Sequence, residues 1–384
     1  LLSNLASGYL QSHDSFIPSA FNWIPHNIII ILSTVIFYKY GIEAVAAGNV
    51  LASFSLVLVQ LPFVYKKGYR YKPVLNFKEE GLRKISVLFI PIIISSAFNQ
   101  VDVLINRVLA SGLNEGSISA LDYADKVNNL VYNIFIITFA TVIYPGLSLA
   151  SGDPDKFREK LVKGLKCIII LSMPAMGCIF VLRIPIVRLL FERGAFNAED
   201  TYNTAIALGC YSVGIIGEGF REILNRAFYS LKDTKTPMVN GIAAICINIV
   251  LNVIFVKFWG IGGLAISTSM TAILSGLMLL YRLKKKFGIF AGRELGFYFL
   301  KVLMSSGIMS LIIYILKNAA FSRFVTGSFI KQAFMLASCV CLGGIVYISI
   351  LYAVKAEEII DAAGFLKNKI YSLKNRIHKL RNRI

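Results

Sequence analysis

The chain has 384 residues, of which 56% are hydrophobic and 16% charged, and its mean hydropathy is +0.68. A soluble domain of this length would be far less apolar, so the composition argues against a soluble enzyme and indicates a protein with the bilayer as its solvent. Lys and Arg outnumber Asp and Glu by 40 to 21, for a formal net charge of +19. This excess is typical of basic cytoplasmic loops and of segments attracted to anionic lipids.

About ten apolar segments are long enough to cross a hydrocarbon core of ~30 Å, which takes about 20 residues of helix. We number them span 1 to span 10 in chain order. Their predicted bounds are 17–38, 41–65, 85–109, 119–149, 161–182, 202–228, 237–258, 262–283, 295–316 and 329–354. The sequence therefore predicts an all-α polytopic membrane protein with about ten transmembrane helices.

Basic residues alternate between the loops. The loops after spans 2, 4, 6 and 8 are rich in Lys and Arg, whereas the loops after spans 3 and 7 have none. The loop after span 5 balances Arg with acidic residues, and the loop after span 9 is mildly basic and departs from the alternation. The positive-inside rule then places the basic loops and both ends of this chain in the cytoplasm.

An internal repeat organises the spans. An offset of 219 residues aligns spans 1 and 2 with spans 7 and 8, so that in each copy a Pro opens a helix, a Gly-Ile turn follows and a second helix ends in lysines. The matched pairs are Asp14 and Asp233, Pro18 and Pro237, Gly41 and Gly260, and Lys67 and Lys286. Parallel repeats are a known transporter plan, with the substrate site between the halves.

The repeat predicts the domain organisation. Four helices, spans 3 to 6, lie between the first hairpin and spans 7 and 8, but only a short tail precedes spans 1 and 2. We therefore expect a two-lobe transporter whose first lobe lacks four helices. The expected parts are the end of a preceding helix with the last two helices of the first lobe (1–68), a basic cytoplasmic linker (69–84), a six-helix second lobe (85–288), two extra helices (289–355) and a basic cytoplasmic tail (356–384). The composition of this tail is equally compatible with an interfacial helix on anionic lipid and with a solvated cytoplasmic segment.

Three spans carry ionisable or amide side chains, which are costly in a membrane and normally face a bundle interior or a water-filled cavity. The candidates for substrate binding are Asn99, Asp102 and Arg107 on span 3, Ser119, Asp122, Lys126 and Asn129 on span 4, and Glu218 and Arg221 on span 6. The alternative is interhelical hydrogen bonding and Glu–Arg pairing that only holds the bundle together. The three-turn stripe on span 4 favours a cavity, span 6 favours neutral pairing, and span 3 leaves both open.

Other chemistry has little support in the sequence. The three His residues are scattered, and the six Cys residues lie in apolar runs without metal-type spacing. A membrane prenyl-phosphate transferase would usually present an Asp-rich or His-bearing motif for Mg²⁺, and an ATP-driven transporter would contain a P-loop; we find neither pattern. We therefore expect no enzyme activity, no cofactor, no metal site and no nucleic-acid partner.

Several strings carry a family resemblance: SALDYADKVNNLVYNIF, FERGAFNAEDT and REILNRAFYSLKDTKTPMVNG, followed by NIVLN and GIGGLAIS. From about Leu5 to Val354 the chain resembles the MurJ/MviN family of lipid II flippases, within the group that includes multidrug exporters of the MATE type and polysaccharide flippases. The resemblance implies fourteen helices in two six-helix lobes and a C-terminal pair. Spans 1 and 2 would end the first lobe, spans 3–8 would form the second, and spans 9 and 10 would be the pair.

The resemblance also implies a function, namely translocation of an undecaprenyl-pyrophosphate-linked muropeptide (lipid II) across the bacterial plasma membrane by alternating access. The implied partners are the lipid-linked oligosaccharide, membrane lipids and a coupling ion. Cationic cavity residues would bind the pyrophosphate, and a groove beside the last two helices would hold the polyprenyl tail. Ser119 carries over from the family motif, but Lys126 stands where the family usually has Arg, and Lys offers a point charge rather than a bidentate fork. A drug or polysaccharide exporter of the same superfamily is the alternative.

Overall fold

The computed structural model describes residues 2–13, 15, 17–69, 100–288, 292–324 and 329–354, and the regular elements among them are all helical. The chain divides into two compact units, Leu1–Ile85 and Ser86–Ile384. The predicted linker 69–84, apart from Tyr69, and the predicted tail 356–384 lie outside the described residues.

The first unit is built on one helical hairpin. Its helices are α1 (Leu2–Ser12), α2 (Ile17–Phe21), α3 (Trp23–Phe37), α4 (Ile42–Leu58) and α5 (Leu61–Lys66). Span 1 is interrupted at Asn22, and Pro25 then occupies the first turn of α3. Pro cannot donate a backbone hydrogen bond to the residue four positions earlier, so a helix that contains Pro25 begins close to it.

The tail before span 1 is helical and packs on the end of the hairpin. Gln60 is fully buried, accepts a hydrogen bond from Ser7 Oγ at 2.9 Å and donates one to Ser3 Oγ at 3.1 Å. Tyr9 donates its hydroxyl to the Lys67 carbonyl at 3.2 Å. These contacts satisfy polar groups that the bilayer would not.

The second unit contains the longer helices. They are α6 (100–111), α7 (Ser117–Val131), a π-helical turn (Tyr132–Ile137), α8 (Thr138–Ala150), α9 (Pro154–Phe191), α10 (Ala198–Ser230), α11 (Lys235–Phe287), α12 (Gly292–Phe324) and α13 (Phe329–Ala353). Helix α10 is central and packs on α7, α8, α9 and α11. A Cβ atom on Gly214 or Gly217 of α10 would collide with α11, so these glycines permit the close approach of the two helices.

Helix α11 comprises two spans that fold back on each other. Gly260, near its middle, has φ +53° and ψ −125°, a conformation that is not helical. On either side of this turn, Asn248 donates to Thr271 Oγ1 at 3.2 Å and Asn240 donates to Ser275 Oγ at 2.7 Å. The predicted pair of spans 7 and 8, with a turn at Gly260, is therefore confirmed.

Six helical stretches of the described chain are long and apolar enough to cross a membrane, namely Ile42–Lys66, Ser117–Ala150, Pro154–Phe191, Lys235–Lys286, Glu294–Ala319 and Phe329–Ala353. The fourth contains two spans because of the turn at Gly260. Span 6 corresponds to α10, whose charged residues lower its hydropathy, and span 1 is divided at Asn22. Only the end of span 3, as α6, falls within the described residues. The all-α polytopic class is confirmed.

The two extra helices are attached through α9. Helix α12 packs on α9, and α13 packs on both. Lys166 of α9 forms an ion pair with Glu294 Oε1 at 2.7 Å and lies 5.3 Å from the centre of the Tyr298 ring. Tyr347 of α13 donates its hydroxyl to the Ile170 carbonyl at 2.8 Å.

The two hairpins share local features at the positions that the repeat matches. Gly41 and Gly260 both have positive φ, at +93° and +53°. Ser33 and Gly48 are in close contact across the first hairpin, and Asn252 and Ser267, 219 residues later, are hydrogen-bonded across the second. The repeat is therefore in register at the turn and at a crossing point, while superposition of the complete hairpins stays a prediction.

An ion pair joins the loop after α10 to the end of α11. Asp233 accepts hydrogen bonds from Lys286 Nζ and from Thr236 Oγ1, both at 2.7 Å. Burial alone would raise the pKa of Asp233, but the bonds from Lys286 and Thr236 outweigh it and lower the pKa to about 2. At the matching position of the first unit, Lys67 Nζ approaches the His13 carbonyl at 3.4 Å, and Asp14 lies outside the described residues.

We expect Gly260→Ala to destabilise the protein, because an L side chain at this φ and ψ costs about 1–3 kcal/mol. Gly241 is the matched control, since it lies within α11 and a Cβ atom added there would meet no other atom within 4 Å. Gly241→Ala should be neutral or stabilising, by up to about 1 kcal/mol. Thermal unfolding in detergent measures both changes, and equal shifts for the two variants would show that Gly260 is not a strained turn.

The ion pair of Asp233 predicts a pH-dependent stability. A depressed pKa in the folded state stabilises the fold at pH above the ordinary value of 3.8 and ceases to do so as the pH falls through about 2. Asp233→Asn should therefore lower the unfolding midpoint by about 1–2 °C at neutral pH, the shift that roughly 1 kcal/mol produces in a chain of this length. The deficit should disappear between about pH 4 and pH 2. Glu115→Gln, at an exposed acid, is the control and should show no such deficit.

Candidate substrate-binding face of the second unit

The polar stripe of span 4 lies on one exposed face of α7. Ala120, Ala124 and Val127 are buried on the opposite face of this helix, against the rest of the unit. The exposed side chains, three or four residues apart, are Ser119, Asp122, Lys126 and Asn129. Helical periodicity thus separates an apolar face that packs from a polar face that the unit leaves uncovered.

Lys126 has an aromatic rather than an acidic neighbour. Its Nζ lies 5.1 Å from the centre of the Tyr123 ring, a distance typical of a cation–π contact. Within the part of the chain that the structure describes, Lys126 makes no ion pair with Asp122. Asp125, which sequence reasoning missed, accepts a hydrogen bond from Asn129 Nδ2 at 2.7 Å. The Lys126 charge is therefore available to a ligand or to water.

A π-helical turn, Tyr132–Ile137, follows the stripe directly. Asn133 donates to the Asn129 carbonyl at 2.7 Å, and Thr138 Oγ1 donates to the Asn133 carbonyl at 3.1 Å. Such turns are rare inside α-helices and occur frequently at functional sites. The widened turn changes which residues of the following helix face the core, and the polar stripe ends there.

The charged residues of α10 include one ion pair. Arg226 Nε donates to Glu222 Oε1 at 2.8 Å, so this pair neutralises itself, as the bundle interpretation predicted. Glu218 and Arg221 are half-buried and form no such pair within the described residues. Glu218 lies near enough to Asp125 to interact with it electrostatically. Span 6 therefore comes near span 4 at Glu218 and Asp125.

The polar residues of span 3 take part in interhelical bonding. Asn106 Oδ1 accepts a hydrogen bond from Asn252 at 2.8 Å, and Asn252 also donates to Asn248 at 2.7 Å. Asp102 has one buried carboxylate oxygen without a hydrogen-bond partner among the described residues. Arg107 is exposed, and Asn99 lies outside the described residues.

Asn248 and Asn252 are both part of the string NIVLN, and the sequence did not predict their role in this bonding. Their spacing of four residues on an otherwise apolar helix could have indicated it, because polar residues at this spacing share one helix face.

An apolar groove runs beside α13. It has a volume of about 470 Å³ and lies between the π-helical turn, α9, α12 and α13. Phe135, Pro174, Val340 and Ile348 contribute to its walls. A groove of this lining suits a hydrocarbon chain, since it offers few hydrogen-bonding groups. Among the described residues, no group of His, Cys, Asp or Glu could hold a metal ion.

Repeated hairpins, a polar helix face and an apolar groove are typical of polytopic membrane proteins with the MATE-like two-lobe plan. A solved structure of an inward-facing MATE multidrug transporter of the MOP superfamily supports this plan, with a TM-score of 0.66 at 14% identity over 74% of this chain and 68% of that one. A solved structure of lipid II flippase MurJ in an inward closed conformation has a TM-score of 0.72 at 26% identity and covers 91% of this chain and 72% of that one.

The family follows from the sequence comparisons. The family model of lipid II flippase MurJ matches residues 1–335. The probable lipid II flippase MurJ of Vibrio cholerae is 36% identical over 284 residues, which cover 72% of this chain and 54% of the relative. That of Buchnera aphidicola is 29% identical over 352 residues, which cover 90% of this chain and 69% of the relative. The chain belongs to the lipid II flippase MurJ family, and it spans about half the length of the Vibrio relative.

We expect the α7 face to be in contact with water in the membrane. A Cys at Asn129, in a chain whose exposed Cys246 and Cys341 are replaced by Ala, should react with a water-soluble maleimide. The control is Val142→Cys on α8, an apolar position with 73% exposure, which should react only with lipid-soluble reagents. Exclusive labelling of both positions from the lipid phase would contradict a water-filled cavity at α7. Asn99→Cys extends the same measurement to span 3.

Proposed function

We propose that this protein translocates lipid II, an undecaprenyl-pyrophosphate-linked muropeptide, across the bacterial plasma membrane by alternating access. The observation that carries the proposal is the position of Lys126, on an exposed polar face of a membrane-crossing helix and without an ion pair to Asp122. An intramembrane cation is costly unless water or an anion compensates it. A pyrophosphate supplies such an anion and forms strong, charge-assisted hydrogen bonds with an ammonium group.

The apolar groove beside α13 supports the same substrate. Its walls combine α9, the π-helical turn and the last two helices, and a polyprenyl chain would bury its hydrocarbon there without leaving polar groups unpaired. The π-helical turn separates the groove from the polar stripe on α7. One ligand with a charged headgroup and a long hydrocarbon tail therefore accounts for both surfaces.

We propose a multi-pass arrangement in which the loops after spans 2, 4, 6 and 8 are cytoplasmic, together with both ends of this chain. The positive-inside rule supports this orientation, because these loops are rich in Lys and Arg whereas the loops after spans 3 and 7 have none. The proposed parts of the chain are the last two helices of a first lobe, a second lobe over 85–288 and two additional helices over 289–355.

Transport of an anionic lipid is favoured over drug export and over catalysis. The MATE structures establish the fold alone at their level of identity. A drug exporter for cations would be expected to present an acidic, aromatic-lined cavity, whereas the α7 face presents Lys126. A prenyl-phosphate transferase would need a carboxylate cluster for Mg²⁺, and the described residues contain no such cluster.

We expect Lys126→Ala to abolish flippase function and Lys126→Arg to retain it, because the ligand contact requires a positive charge. The changes are introduced at the chromosomal locus, so that the cell's complete protein carries them, and growth is measured while any second flippase is depleted. Lys257→Ala is the control, since Lys257 is an exposed lysine on another helix, near the turn at Gly260. Membrane levels of all variants must match.

A purely structural role for Lys126 makes a different prediction. If the residue only balanced Asp122, the double change Asp122→Asn with Lys126→Gln would remove both charges and restore growth. We expect this double variant to remain inactive. Growth of the neutral pair would overturn the ligand-binding role.

A further inference from the structure

A second cavity lies at the end of the unit where α7 and α10 begin and α9 ends. Its volume is about 530 Å³, within the range of about 300–1,000 Å³ that small-molecule sites occupy. In the proposed orientation this end faces away from the cytoplasm. Ser119 is the one α7-stripe residue in its wall, so the cavity is continuous with the candidate face but is formed by different side chains.

One wall of the cavity is aromatic. The ring centres of Tyr123 and Phe191 are 4.7 Å apart, and those of Tyr123 and Phe196 are 5.6 Å apart. All three side chains are only partly buried, so they present ring surface to the cavity. Aromatic faces are apolar with a negative quadrupole, which suits C–H groups of a ligand stacked against them.

The lining of the cavity also includes polar residues with both signs of charge. Asp200 accepts a hydrogen bond from the Asn197 backbone N–H at 2.9 Å, so the capping box of α10 fixes its carboxylate. Arg193 donates to the Leu190 carbonyl at 2.9 Å and also borders the cavity. An anion would be repelled by Asp200 and a cation by Arg193. This polar lining therefore suits a neutral ligand with several donors and acceptors.

Thr204 supplies an unpaired group at the same place. Its side chain is fully buried and borders the cavity, and its Oγ1 has no hydrogen-bond partner among the described residues. Buried hydroxyl groups are nearly always hydrogen-bonded, because leaving one unpaired costs about 1–3 kcal/mol. A ligand hydroxyl or a water molecule held with the ligand would satisfy it.

We propose that this cavity binds a sugar ring of the lipid-linked headgroup. A pyranose ring has two apolar C–H faces and a rim of hydroxyl groups, which match the aromatic wall and the polar side chains of Asp200, Arg193 and Thr204. The inference rests on the proposed function and adds to it a subsite for the glycan. It is separate from the phosphate contact of Lys126.

The positions of the two subsites agree with the chemistry of such a lipid. Lys126 packs on Tyr123, and Tyr123 is also part of the aromatic wall. In a pyrophosphate-linked sugar the first ring is bonded directly to the phosphate. A ligand with its phosphate at Lys126 therefore has its first sugar within reach of the cavity.

Binding of two lipids by the complete protein in nanodiscs tests the proposal. The probes are undecaprenyl pyrophosphate and the same lipid carrying a disaccharide without peptide. Thr204→Val has nearly the same shape and breaks no hydrogen bond among the described residues. It should weaken binding of the glycosylated lipid about three- to tenfold, as expected for one lost hydrogen bond, and leave the bare lipid unaffected.

Controls separate this site from the phosphate contact. Thr141→Val makes the same chemical change on the exposed surface of α8, where Thr141 bonds only to the Ile137 carbonyl, and should alter neither affinity. Lys126→Ala should weaken both lipids.

Two results would overturn the sugar site: unchanged affinity of the Thr204→Val variant for the glycosylated lipid, or equal losses of affinity for both lipids. Failure of the unaltered protein to bind either lipid would instead contradict the proposed function, and the sugar site with it.

Discussion

The close approach of α10 to α11 is the contact on which the second unit depends. Gly214 and Gly217 leave no side chain between the two backbones, and Ser269 of α11 donates its hydroxyl to the Cys210 carbonyl of α10 at 2.7 Å. Helices in lipid associate through packing and hydrogen bonds of this kind, since burial from lipid gives no hydrophobic gain. On the same helix, Glu218 lies near enough to Asp125 of α7 to interact with it electrostatically.

Features that depend on local sequence could be predicted, and features that depend on packing could not. The turn at Gly260 and the stripe on α7 follow from residue type and helical period, which act over a few residues. The partner of Asn106 is Asn252, far along the chain, and no local pattern specifies that contact. No local pattern specifies the second cavity either, because Tyr123, Phe191 and Phe196 come from separate elements. The break at Asn22 was missed for another reason: hydropathy alone does not register that Pro25 removes a backbone donor.

Neutral polar side chains and the charged side chain of Lys126 differ in their surroundings in this unit. The side chains of Asn106, Asn252, Asn248 and Thr271 bond to one another between α6 and the two halves of α11, and none of these residues carries a charge. Such bonds contribute about 1 kcal/mol each and can hold helices together whatever ligand is bound. Lys126, by contrast, is charged and exposed, and its contact among the described residues is with the Tyr123 ring. Binding of an anion would stabilise such a charge in the membrane. The free energy of the protein would then differ between its loaded and its empty state, as the proposed transport cycle needs.

The two hairpins match at the turn and at one crossing point, and their chemistry differs at that crossing point. At the matched crossing point the first hairpin has Ser33 against Gly48, a contact of two small residues, and the second has Asn252 hydrogen-bonded to Ser267. Both pairs of residues allow the two backbones to approach closely. In the second hairpin, Asn252 also donates a hydrogen bond to Asn106 of α6. Alternating access needs halves that are similar enough to rock about a shared site. It also needs halves that differ in polarity, because a ligand can shift the equilibrium between two states only if it binds them unequally. The proposed transport cycle would therefore gain from hairpins that match at the turn and differ at polar positions.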